Sequence, residues 1–157
     1  MSQRLHKFTP LHEVLQQAER FHDAASALLF QWSKEDEGGR NGSFFKVAAE
    51  HEREVADSLA RALGGDIDLA STETFYQNPP ESIPTDRDLN ALASQRQDLD
   101  GFAAALHELH QRWVAVYEAL EATNSATHVD ELIANCRGLV ERLERQLSSA
   151  QVQLQDL

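Results

Sequence analysis

Three places in this chain carry side chains that could do chemistry, and each is read against the apolar periodicity around it. Glu52 falls near the middle of an apolar stripe, with Phe45 and Ala48 before it and Val55, Ala56 and Leu59 after it. A carboxylate there faces the core, where it needs a hydrogen-bonded partner, a counter-ion or a metal. His107 and His110, three residues apart, could clasp an ion from one helix surface, although His107 lies off the stripe and is expected to be solvated. Cys136, the single cysteine, sits on an apolar stripe and reads as a small hydrophobe, since no neighbour in sequence would lower its pKa.

Other chemistries lack their signatures. No glycine-rich phosphate loop, paired-cysteine zinc spacing or nucleophile elbow is present. The formal charge is −12, and the 14 Lys and Arg residues are scattered among acidic neighbours, which argues against a nucleic-acid face. One cysteine allows no intrachain disulfide, the residues after Met1 are charged at Arg4 and Lys7, and no apolar run reaches membrane-spanning length. A soluble cytoplasmic protein without a membrane is the expectation.

The elements that must position these residues are helices. Pro10 suits a first helical position behind a Thr9 cap, and Leu11, Val14, Leu15, Ala18, Phe21, Ala25, Leu28, Leu29 and Trp32 recur at helical spacing, predicting a helix over 10–34. A second is predicted over 43–63, capped by Ser43 or Asn41 and stopped by a left-handed turn at Gly64-Gly65. Residues 64–84, with Pro79, Pro80 and Pro84, break the pattern while keeping Ile67, Leu69, Phe75, Tyr76 and Ile83 apolar enough to pack. Thr85-Asp86-Arg87-Asp88 reads as an acidic capping box that opens a third helix over 85–122, with a bend allowed at Gly101. Thr127 opens a fourth over 127–154, whose stripe is Leu132, Cys136, Leu139, Val140, Leu143, Leu147, Ala150 and Leu154. Two short links and one long one predict a single all-α domain over 1–157: an antiparallel four-helix bundle of ferritin-like topology, with the long crossover between the second and third helices.

The segment Ala49-Glu50-His51-Glu52-Arg53-Glu54-Val55-Ala56 resembles the Glu-Glu-x-x-His-Ala of the second helix in the rubrerythrin branch of the ferritin-like superfamily. Glu52 matches the ligand glutamate, but Val55 replaces the histidine three residues on. Leu109 to Leu120 is similar to that family's third helix, with His110 where a glutamate would stand and Tyr117 two turns later. Laying the first helix on the third matches His22 to His110, making His22 a second inward histidine. Glu19, which forms Glu-x-x-His with His22, is the other candidate for the first-helix carboxylate. The fourth helix lacks its ligands, since Glu141 and Glu144 are read as facing away or lying at the edge.

What the resemblance implies is therefore divided. A ferritin-like bundle that has lost its di-metal centre would act as a non-catalytic module, packing as a homodimer along its first two helices or against a protein partner. The alternative is an oxidoreductase or metal-handling protein with iron, manganese or zinc at Glu52, His22 and His110, and Glu19 as a further candidate. A hemerythrin-type site is a poorer fit, because His51 is followed four residues later by Val55 and His107 by Gln111.

Overall fold

The computed structural model describes residues 8–64, 75–77, 83–123 and 127–155. Their architecture is a helical bundle with a small β-ribbon at one end. The order is β1 (Phe8–Pro10), α1 (Leu11–Glu35), α2 (Arg40–Leu63), β2 (Phe75–Gln77), α3 (Asp86–Ala91), a 3-10 turn (Leu92–Gln95), α4 (Leu99–Thr123) and α5 (Thr127–Gln155). None of these helices is long and apolar enough to cross a membrane.

The short turn between α1 and α2 depends on two glycines. Gly38 adopts a φ of 88°, a region side chains avoid. A Cβ on Gly42 would lie 2.2 Å from the Asp36 carbonyl oxygen, so the first turn of α2 can approach the end of α1 this closely only without a side chain. The two helices are antiparallel: the Ser26 hydroxyl donates to the Ala49 carbonyl at 2.8 Å, and His22, a turn earlier, meets Glu52, almost a turn later. The pair α4 and α5 is also antiparallel, with Asp100 reaching Gln151 at one end and Glu121 reaching Arg137 at the other. Between the hairpins, α2 and α4 run parallel, since Asn41 bonds to Arg96 and Glu52 to His110. One buried apolar cluster runs through all four long helices.

Parallel α2 and α4 oblige the chain between them to travel the length of the bundle, and its described parts track α1. Strand β2 pairs antiparallel with β1, setting Phe75 opposite Pro10 and Gln77 opposite Phe8. Ile83 to Asp86 line a surface groove with Gln17, Arg20 and Phe21, and Leu89 and Asn90 line another with Ala24, Leu28 and Gln31. At the far end the Arg96 guanidinium meets Glu35 at 3.1 Å and Asp36 at 3.0 Å while covering the Trp32 ring.

That anchorage corrects the predicted third helix. Residues 85–122 do not form one rod, and the crossover extends from Gly64 to Asp98, not to 84. The Asp88 carboxylate accepts the Thr85 N–H at 2.8 Å, as the capping box requires, but α3 ends after six residues. The chain then turns at 92–98 because Arg96 is held by α1 and its carbonyl accepts from the Asn41 amide at 2.7 Å. The break lies before Gly101, the position where a bend was allowed.

Helix ends differ as well. The chain enters α1 from a strand, so the helix begins at Leu11 and not at Pro10. Neither Asn41 nor Ser43 caps α2, which starts at Arg40 behind an extended Gly39. Gly64 has φ −95° and simply donates its N–H to the Ala60 carbonyl, which is no left-handed stop. Gly65, Ile67 and Leu69 lie outside the described residues, while Ile83 packs on the core as its apolar character suggests.

Candidate buried histidine–carboxylate site

Helical periodicity places one polar side chain from each long helix at the same level of the core. His22 on α1 follows Phe21 on the buried stripe; Glu52 on α2 lies between Ala48, Ala49 and Val55, Ala56; His110 on α4 follows Leu109. All three have zero exposure. Glu144 on α5 flanks the stripe beside Leu143, one turn beyond Val140, and is 12% exposed.

Their polar atoms form a continuous chain. His22 Nδ1 lies 2.6 Å from Glu52 Oε1, and the other carboxylate oxygen, Oε2, lies 2.6 Å from His110 Nε2. His110 Nδ1 in turn meets Glu144 Oε2 at 2.9 Å. His107, one turn earlier on α4 and 60% exposed, turns its Nδ1 to Glu144 Oε1. The His22 and His110 rings stack at 6.3 Å, and Phe21 and Trp113 pack against His22.

The proton count follows from donor chemistry. Ionised carboxylates only accept, so a His110 ring that serves one at each nitrogen donates from both and is an imidazolium. Burial opposes that charge, but the Glu52 and Glu144 carboxylates outweigh it and hold the His110 pKa up at about 9. Burial likewise opposes ionised Glu52, and His110 and His22 together bring its pKa down to about 2. Short distances in a water-free interior let neighbouring charge win over desolvation.

His22 contributes only Nδ1. Its Nε2 is buried without a protein hydrogen-bond partner among the described residues. Tyr117 stacks on Trp113 at 6.0 Å and its hydroxyl takes no part in the chain.

The donor set of two imidazoles and one buried carboxylate is of the kind that takes a first-row divalent ion. Among the described residues, no three such side chains surround a single point as they stand. The two imidazole nitrogens meet different Glu52 oxygens, each at 2.6 Å, so an ion would be held only once His22 Nδ1 and His110 Nε2 had turned toward one point. Charge allows the exchange, because the ionised Glu52, away from water, needs positive charge beside it, which the His110 imidazolium or a divalent ion supplies.

Of the expected ligands, Glu52, His22 and His110 are brought together. Glu19, half-buried a turn before His22, is in none of these hydrogen bonds. The edge position expected for Glu144 is correct, but its inward reach was missed, and the signal was its spacing of four from Val140 and eight from Cys136. Glu141 is exposed. Cys136 is buried, and burial pushes its thiol up to about 12, so it behaves as a hydrophobe. Searches by sequence and by structure bring no relatives to this arrangement: the chain matches no family model, no curated protein and no solved structure.

Proposed function

We propose that this chain is a metal-binding helical-bundle protein that holds one first-row divalent ion, iron, manganese or zinc, at His22, Glu52 and His110. The observation that carries the reading is that two imidazoles and a carboxylate from three different helices meet at one level with no exposure. Glu144 strengthens it, because a ligating histidine is usually oriented by a carboxylate on its far nitrogen, and His110 Nδ1 has that partner. Three protein donors leave an open coordination position, which redox or Lewis-acid chemistry at such an ion requires. The bundle belongs to the ferritin-like arrangement on this reading, supported by the parallel α2 and α4 and the long link between them, whose described parts run along α1.

A second reading has its own observation. Both Glu52 oxygens and both His110 nitrogens already have hydrogen-bond partners, so protons alone satisfy these two side chains. On that reading the chain is a non-catalytic module that packs as a homodimer along α1 and α2 or on a protein partner.

Elemental mass spectrometry separates the two, applied to protein purified without chelator or histidine tag and to Glu52→Ala. Near-stoichiometric metal that disappears in a folded Glu52→Ala variant supports the site. A folded bundle without metal in either protein overturns it and leaves the module.

A further inference from the structure

The three proposed ligands are sealed from solvent, so an ion must reach them through some part of the wall. We propose that divalent cations enter and leave through the groove between α4 and α5, where His107 and Glu144 form an outer capture site that passes the ion inward. This inference rests on the metal reading of His22, Glu52 and His110.

Glu144 is the one side chain shared by the hydrogen-bond chain and this groove. Its Oε2 meets buried His110, while its Oε1 meets exposed His107. The groove has a volume of about 290 Å³ and is lined by Asp100, Ala103, Ala104, His107 and Glu144, with Phe44 and Leu147 contributing its apolar part. His107 and His110 sit one helical turn apart and both reach the same carboxylate from α4. An imidazole and a carboxylate at the mouth allow a hydrated ion to exchange water for protein donors in steps, before it meets the sealed set. A larger groove, about 500 Å³ between α2 and α5 and lined by Ser58, Ala62, Cys136 and Leu139, includes none of the four side chains and offers no such relay.

The test is stopped-flow uptake and chelator-driven release of Co²⁺ by the full chain, read from cobalt absorption, in wild type, Ala104→Trp, His107→Ala and Ala62→Trp. Filling a passage raises the same barrier in both directions. Ala104→Trp is therefore expected to slow uptake and release by the same factor, about tenfold or more, with Kd unchanged. His107→Ala should also slow uptake without changing the final stoichiometry, and Ala62→Trp, in the other groove, should leave both rates alone. Wild-type rates in both Ala104→Trp and His107→Ala, with cobalt still bound, would overturn the route while leaving the buried site standing. A folded wild type that takes up no cobalt would overturn the site and the route together.

Discussion

Two levels of the buried core are built on opposite principles. Near the α1–α2 turn, Trp32, Phe44, Phe45 and Phe102 interlock with ring centroids 4.8 to 6.3 Å apart. Halfway along, these three helices and α5 instead present His22, Glu52, His110 and Glu144. Each fully buried aromatic side chain contributes roughly 1.5–3 kcal/mol by leaving water. A buried ion pair returns little net stability after its desolvation, and hydrophobic replacement is often neutral or better. The aromatic end is what a bundle needs in order to fold. The polar layer is more than it needs, and that surplus is what the proposed function rests on.

Measurements that could break this contrast start with the largest effect. Phe102→Ala, which removes the ring shared by all three aromatic neighbours, should cost about 3–5 kcal/mol in urea unfolding. Glu52→Ala should cost a similar amount by stranding His110 and His22, yet the triple variant His22→Leu, Glu52→Leu, His110→Leu should recover most of it in chelator-treated protein. If the triple variant were as unstable as Phe102→Ala, the polar layer would be structural and the contrast would fail.

An intermediate effect is expected from pH, again with metal removed. The folded pKa of His110, about 9, lies above its ordinary value of 6.5, so its contribution is complete below 6.5 and is lost as pH rises through 9. That of Glu52, about 2, lies below its ordinary 4.5, so its contribution is complete above 4.5 and is lost as pH falls through 2. Urea midpoints should therefore plateau between pH 4.5 and 6.5 and fall on both sides, and the alkaline fall should vanish in His110→Leu. A wild-type profile flat from pH 6.5 to 9.5 would contradict the imidazolium.

The smallest effect belongs to the pair beside the site. Arg53 and Asp23 join the same two helices at 2.6 Å, one residue along from Glu52 and His22, but both are about half exposed. Solvent screening should hold the cost of Arg53→Ala to about 1 kcal/mol or less. A loss comparable with Glu52→Ala would mean that burial is not what separates the two pairs.

The long helices were legible because 3.6-residue periodicity survives in sequence wherever one face is buried throughout. Glu52 was legible for the same reason, as a charged residue where the period demanded an apolar one. The turn at 92–98 was not, because Leu89, Leu92, Leu99 and Phe102 keep helical spacing across it. What bends the chain is Arg96 gripping Glu35 and Asp36, sixty residues away, and local sequence carries no mark of that contact. Glu144 escaped for a related reason: a residue at the margin of a stripe can face water or core, and the choice is made by His110 on another helix. Neither Asn41 nor Ser43 caps α2 because the helix begins at Arg40 and both lie inside it, with the Asn41 side chain bonded to the Arg96 carbonyl.

One feature of the bundle also sets how the centre is shared. The α1–α2 hairpin supplies one imidazole and one carboxylate, His22 and Glu52, and the α4–α5 hairpin supplies another such pair, His110 and Glu144. Within this four-residue chain a single hydrogen bond, Glu52 to His110, crosses between them. The site is thus a seam, with half of its inventory on each covalent half of the molecule. Anything that parts the hairpins dismantles it at that bond, and an ion held across the seam would act as a clasp between the two halves.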